Sequence, residues 1–368
     1  MSTDHYYEIA VTTLPGIGSQ SARQLLTMVE SAEALFSMSR ADLKQIFGGH
    51  YEIIRAITER STLGVVDQEM EFVRKNNIKV LYYRDADFPQ RLNLPDCIDA
   101  PIVLYSLGAA DYNMARSVSV VGTRRATPEG TDLTHKLVGG FKGEGITVVS
   151  GLALGIDAAA HTAALNNHLP TIAVLAHGLN MLYPPQNRQL AKQILQSGGA
   201  LVTETRSSTP LHPRMFPARN RIIAGLGDAT VVVEASSKGG ALITANIATG
   251  YHRDLFAFPG RIGDKYSEGC NAIIASAKAM LIRGADDLFV DMGWQRTAQP
   301  AGTQTTIFPE LSADEELLYK TLEAHPGVSI DQIQELVDLP TPKIAAALLN
   351  LELKNICRCL PGKIYKLV

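Results

Sequence analysis

Arg124 and Arg125 stand in a short polar turn, between an apolar run that ends at Val121 and a Thr127-Pro128 pair suited to opening a helix. A strand, a turn and a helix in that order aim backbone N–H groups at an anion, and two guanidinium groups add charge at the same place. The turn lacks the GxGxxG spacing of a dinucleotide fingerprint. Nor does a Lys-Ser or Lys-Thr pair close a glycine-rich run, as a Walker loop would require. The expected chemistry is therefore phosphate binding without the residues that hydrolyse a nucleotide.

Other strand ends carry related material. Ser150-Gly151 leads through Leu154-Gly155 to a helix from Asp157, and the glycines let backbone approach a ligand closely or simply permit tight packing. The stretch from Pro210 to Gly225, PLHPRMFPARNRIIAG, is a proline-rich loop followed by a short helix. It sets Arg214, Arg219 and Arg221 beside Phe216 and Asn220, a composition expected of a single-strand groove. Lys238-Gly239-Gly240 precedes another helix, and Phe258-Pro259-Gly260-Arg261 ends the last strand with a cation. Several basic or N–H-rich turns along one sheet edge suit a polymer of phosphates better than one nucleotide.

Catalytic groupings are poorer. His161 and His177 lack a Ser or Cys partner in a nucleophile motif and read as structural. Tyr183, before Pro184, could stack on a base but reads first as a structural aromatic. Asp157 and Glu234 would make an acid–base pair if close in space, yet both sit where carboxylates cap N–H groups.

The elements that position these residues follow from the hydrophobic pattern. Apolar, β-branched runs lie at 117–121, 146–149, 171–175, 200–203, 230–233 and 255–258, with helical patterns between them, such as 157–166 and 240–251. Runs apolar throughout imply strands buried on both faces, hence a doubly wound parallel α/β sheet that binds ligands at its strands' carboxyl ends. Ahead of it, residues 1–66 read as short helices, with Leu14-Pro15-Gly16-Ile17-Gly18 before a helix from Ser19 as a helix-hairpin-helix pattern or a plain packing turn. The sheet domain is placed at 67–294. A polar linker with Pro300 occupies 295–310, and three helices with a closing hairpin at 311–368 make a winged helix-turn-helix. In that last part Ser329 starts the second helix, Thr341 and Pro342 serve as N-cap and first residue of the third, and Ile344, Leu348 and Leu351 form its buried stripe.

Composition bounds the rest. A chain of 368 residues allows two or three domains, and a net charge of −3 excludes a uniformly basic nucleic-acid binder but not a basic groove on an acidic body. Without a membrane-length apolar run or a signal-like start, a cytoplasmic location is expected. Four cysteines are too few for a disulfide framework, and Cys357-x-Cys359 reads as a reduced strand pair rather than a zinc site. No metal or cofactor is expected.

The strings VVGTRRAT, SGLALGIDAAAH, FPARNRIIAGL, EASSKGGALITA and FAFPGRI, with the helix start at Gly269-Cys270-Asn271, resemble the DprA (Smf) DNA-processing proteins over the whole sheet domain. The flanking helical part and winged helix fit the longer members of that family. The resemblance implies a Rossmann-like domain that binds single-stranded DNA, a tail-to-tail homodimer, and a role in natural transformation in which incoming strands are protected and RecA recombinase is loaded. Carried over by position, the DNA contacts fall on Arg124, Ser150, Gly151, Phe216, Arg219, Asn220, Arg221 and Lys238, with Gly239 beside it. His177 departs from the small residue common at its position, and the winged helix is acidic, with only Lys343 and Lys354 as cations on its third helix. A protein-contact or weak duplex-contact role is expected for it. The overall expectation is a binding protein and not an enzyme; the alternatives are a nucleotide N-glycosidic hydrolase and a ligand-sensing transcription regulator.

Overall fold

A computed structural model describes residues 5–296, 311–354, 356–360 and 362–367. Contacts divide the chain into two compact units, one within residues 1–297 and one within 298–368. The expected linker lies outside the described residues apart from Gln295 and Arg296, as does Pro361 of the expected hairpin turn.

The first unit begins with six helices: α1 (Tyr6–Thr12), α2 (Ser19–Met28), α3 (Ala32–Ser37), α4 (Arg40–Phe47), α5 (Tyr51–Thr58) and α6 (Leu63–Lys75). α3 and α4 start where a serine side chain accepts the N–H of the third residue, Ser31 from Ala34 and Ser39 from Asp42. Residue 66, the expected domain boundary, falls inside α6, and these helices share one apolar core with Ile78, Tyr82 and residues 102, 103 and 105 of the sheet region. Arg23 on α2 adds a polar clamp. Its guanidinium donates to the carbonyls of Ala100 (3.0 Å) and Pro101 (3.2 Å) and stacks over Tyr83 at 4.8 Å. The cation nearest the glycine hairpin is thus committed to packing.

The sheet has nine strands: β1 (Lys79–Tyr82), β2 (Val103–Gly108), β3 (Arg116–Val121), β4 (Ile146–Ser150), β5 (Thr171–Val174), β6 (Ala200–Thr203), β7 (Ala229–Val232), β8 (Asp254–Ala257) and β9 (Met280–Leu281). Their order is β1-β2-β6-β5-β4-β3-β7-β8-β9, parallel from β6 to β9 and antiparallel for β1–β2 and β2–β6. The six strands read from the sequence are β3 to β8. β1 and β2 extend that sheet; no α-helix joins them, so the strand–helix alternation that marks the others gives no signal there.

Helices α7 (Pro128–Gly139), α8 (Ile156–Asn166) and α13 (Ala285–Asp291) pack on one face of the parallel strands. On the other lie α10 (Met215–Leu226), α11 (Gly240–Gly250) and α12 (Glu268–Ala275), while α9 (Arg188–Gln196) covers β5 and β6. Val118 and Val120 point to one face and Val121 to the other, all buried, which is why the run is apolar throughout. Burial of each such side chain stabilises the fold by about 1.5–3 kcal/mol. The chain runs outward from β3 through β6, then returns to the far side of β3 to lay down β7. β3 is therefore the topological switch point, where ligands of open α/β sheets bind.

In the second unit, capping boxes open α14 (Ala313–Ala324) through Ser312 and Glu315 and α15 (Ile330–Leu336) through Ser329 and Gln332. α16 runs from Thr341 to Leu353. Thr341 is not its cap: the carbonyl of Pro340 already takes the N–H groups of Lys343 (2.9 Å) and Ile344 (3.2 Å), so the helix starts one residue early with Pro342 second. Ile344, Leu348 and Leu351 form its buried stripe. β10 (Val328–Ser329), β11 (Cys357–Leu360) and β12 (Ile364–Leu367) form the wing, in the order β10-β12-β11. Cys357 and Cys359 both lie on β11, opposite Leu367 and Tyr365.

Candidate functional site

Three loops leave the carboxyl ends of β3, β4 and β7 and are stitched together by backbone hydrogen bonds. The N–H of Thr123 donates to the carbonyl of Glu234 at 2.8 Å, and the N–H of Ile156 donates to the carbonyl of Thr123 at 3.2 Å. Gly155 must be glycine: its φ is +79°, and a Cβ there would lie 2.2 Å from the Thr123 carbonyl oxygen. Its carbonyl accepts the N–H of Ala159 and starts α8. The start of α11 follows Gly239 in extended conformation with no side-chain cap, so its first N–H groups have no side-chain acceptor.

Above these loops opens a groove of about 640 Å³. Arg124, Phe216, Arg219, Asn220 and Gly239 line it, and Gly151 borders a smaller recess next to it. Arg124 is exposed, forms no ion pair with a described residue and lies over the Phe216 ring at 5.3 Å. Arg125 is exposed and also borders the groove. Tyr183 meets Phe216 edge to face at 5.7 Å, so an aromatic pair stands at the rim.

Arg219 lies in the floor, only 5% exposed. Its Nη1 donates to the carbonyls of Gly151 (2.7 Å) and Val174, tying together the ends of β4 and β5. The fit is close, since a Cβ on Gly151 would come within 2.6 Å of Nη2. Burial pushes the guanidinium down to about 10, against the pull of neighbouring Asp157. Burial likewise raises the Asp157 carboxyl, which accepts the N–H of Ala153 at 3.3 Å.

The other three positions lie apart from the groove lining. The Ser150 hydroxyl is buried and donates to the carbonyl of Val120 at 2.6 Å. Arg221 turns to the reverse side of α10, where it pairs with Glu204 at 2.6 Å and donates to the Ser19 hydroxyl at 3.2 Å. Lys238 is exposed on the turn before α11. Asp157 and Glu234 face different cavities. The Glu234 carboxylate accepts the N–H of Thr127 at 3.0 Å together with its hydroxyl, anchoring the start of α7. His161 is fully buried, hydrogen-bonded through Nδ1 to Thr171 Oγ1 at 2.7 Å, and pushed down to about 3 by that burial. Gly178 and Tyr183 backbone groups occupy both nitrogens of His177. Thr123, Ser236 and Thr244 also line the groove; no pattern singled them out, although Thr123 and Ser236 closely follow the ends of β3 and β7 and Thr244 lies near the start of α11.

Among the described residues no group of three or more His, Cys, Asp or Glu side chains gathers as for a metal ion, and no helix is long and apolar enough to cross a membrane.

A mostly parallel sheet with an arginine-lined groove at its switch point, followed by a winged helix, defines the class: a Rossmann-like α/β protein with a winged-helix domain. Comparison with known proteins narrows it. The family model for DNA recombination-mediator protein A matches residues 79–293, and that for the DprA winged helix domain matches residues 302–363. Protein Smf of a Synechocystis species is 33% identical over 99% of both chains, and DNA processing protein DprA of Streptococcus pneumoniae is 40% identical over 53% of this chain and 69% of its own. The solved structure of the S. pneumoniae protein superposes with a TM-score of 0.65 at 32% identity, covering 78% of this chain and 97% of that one. A structure from Helicobacter pylori, described for its single-stranded DNA binding mode, gives 0.53 at 27% identity over 60% and 97%. The chain belongs to the DNA recombination-mediator protein A family, also known as DprA or Smf.

Proposed function

We propose that this chain binds single-stranded DNA along the carboxyl edge of its sheet and acts as a recombination mediator, protecting incoming strands and loading RecA recombinase during natural transformation, as a homodimer. The observation that carries this reading is the groove at the switch point. Exposed Arg124 over Phe216, the uncapped start of α11 and the open shape offer charge, N–H donors and a stacking surface to a phosphate chain. Arg124, Arg125 and Lys238 take phosphates; Phe216 and Tyr183 stack on bases; Asn220 and Gly239 supply polar contacts at the wall. Arg219 and Gly151 act one layer below, by fixing the loops.

Binding, rather than catalysis, is proposed as the activity. A nucleotide hydrolase would need a free carboxylate over the groove, whereas Glu234 is engaged by Thr127 and Asp157 lies in the floor. The test is a gel-shift comparison of single- and double-stranded DNA of equal length across salt concentrations. Single strands should bind more tightly, with a log–log salt slope of roughly −0.7 per phosphate neutralised. Equal affinity for both forms would remove the single-strand reading.

A further inference from the structure

The glycine hairpin ahead of α2 borders a second large opening, which shares no lining residue with the groove at the sheet edge. It is a groove of about 800 Å³ between α2 and the turn from α4 into α5. From α2 it takes Ser21, Gln24, Leu25 and Met28. That is the i, i+3, i+4, i+7 spacing of one helical face, and it runs roughly 10 Å, or about two turns. The other wall has Ile46, Phe47, Tyr51 and Ile53. Leu25, Phe47 and Ile53 belong to the buried core of the helices and make a floor, while Met28 at 69% and Tyr51 at 63% exposure stand at the rim. Large apolar side chains left in water beside a groove mark an interaction site, and Met and Tyr are types that interfaces favour.

The charge around the groove selects its occupant. Glu52 lines it and Glu30 follows Met28 by two residues; both are exposed, and no lysine or arginine is in the lining. Arg23, the cation of α2, is spent on the carbonyls of Ala100 and Pro101. The hairpin is thus poorly made for phosphate, which is held by cations and free donors. A second copy laid symmetrically on the same face would set carboxylate against carboxylate. A basic helix meets neither objection, because its apolar stripe covers Met28 and Tyr51 while its cations lie beside Glu52 and Glu30.

We propose that this groove docks an amphipathic helix of another protein, one with apolar residues at i, i+3, i+4 and i+7 and lysine or arginine on the flanks. The inference does not depend on what the sheet-edge groove binds.

The full chain is titrated, by fluorescence anisotropy, with three labelled peptides: one with leucine in that pattern and lysine flanks, its glutamate-flanked counterpart, and one of the first peptide's composition with the leucines scattered. The lysine-flanked helix should bind about tenfold more tightly than either of the others. Met28→Ser combined with Tyr51→Ser, both at exposed positions, should weaken it about tenfold with unfolding unchanged. Glu30→Gln combined with Glu52→Gln should lower the lysine-to-glutamate ratio about threefold. Equal binding of the patterned and scattered peptides overturns the groove, as does an unchanged affinity in the serine variant. An unchanged ratio in the glutamine variant overturns the basic partner. Duplex DNA affinity that falls in the serine variant would assign the hairpin to nucleic acid, and a smaller sedimenting species in that variant would assign the groove to a second copy; either overturns the proposal. Single-strand affinity is read separately and should be the same in the serine variant as in the wild type, so failure of this groove leaves the sheet-edge reading where it stood.

Discussion

The carboxyl edge of the sheet and the outer face of α16 are the two places where this fold would conventionally meet a nucleic acid, and they are made of opposite material. At the edge, Arg124, Arg125 and Lys238 are exposed without an ion pair to any described residue, beside a helix start with no side-chain cap. On α16 the outward positions include Ala345, Ala346, Leu349 at 57% exposure and Leu353 at 73%, with Thr341, Lys343 and Asn350 as the exposed polar ones. Its two lysines turn to acids of α14, Lys354 to Glu315 at 2.8 Å and Lys343 to Asp314 at 3.9 Å. A winged-helix outline supplies the shape for a groove of DNA, but phosphate is held by unspent donors. The edge offers more of them than α16 does, which supports the proposal of a protein-contact or weak duplex-contact role for the winged unit over sequence-specific reading.

That contrast can be broken most forcefully at Arg219, the buried support of the edge. Arg219→Ala leaves Asp157 buried without its cation and frees two carbonyls, so urea unfolding should show a loss of about 3–5 kcal/mol in the first unit. A loss under 1 kcal/mol would mean the edge does not depend on it.

The layer beneath the edge should also titrate, through His161. Its pKa of about 3 in the fold lies below the 6.5 of an unperturbed histidine. Between those values the unfolded chain takes up the proton first, so stability is lost as pH falls from about 6.5 towards 3. At pH 5 the wild type should have lost about 2 kcal/mol relative to pH 7.5 that His161→Gln retains, read as the difference between their stability–pH curves. Parallel curves would contradict a neutral, buried imidazole.

Arg124→Ala should weaken single-strand binding about tenfold at moderate salt and flatten the salt slope by roughly 0.7, with unfolding unchanged. An unaltered slope would take Arg124 out of the phosphate path. The smallest effect belongs to the other side of the comparison: Lys343→Ala on α16 should leave single-strand affinity within about twofold and stability within about 0.5 kcal/mol. A tenfold loss there would reverse the assignment of the two surfaces.

Much of this was legible in the residues. Six apolar runs marked the parallel strands because both faces are covered, and the turns after them marked the edge where the groove opens because strand exits there carry glycine and cations. What could not be read was the destination of each polar group. Arg219 and Arg221 differ by two positions on one helix, and neither reaches out as Arg124 does. One is satisfied by the carbonyls of Gly151 and Val174, brought in by two other strands, and the other by Glu204 and Ser19. The family resemblance put Ser150 among the DNA contacts, but its hydroxyl is taken by the neighbouring strand. Such partners lie far away in sequence, and local pattern carries no information about them. The antiparallel pair β1 and β2 escaped for a related reason, since strand pairing there is set by β6 and not by an intervening helix.

The central place of β3 sets a timetable for the newborn protein. Val118 is paired on one side with Val148 and on the other with Ala229, and the groove's far wall, at Ser236 to Thr244, comes later still. A chain leaving the ribosome up to β6 can build six of the nine strands, yet β3 keeps an open flank and the groove lacks its far wall. The groove proposed for a strand of DNA is therefore completed late, after β7 slots in beside β3. Contacts so distant in sequence slow folding, and they make the groove a property of the finished sheet.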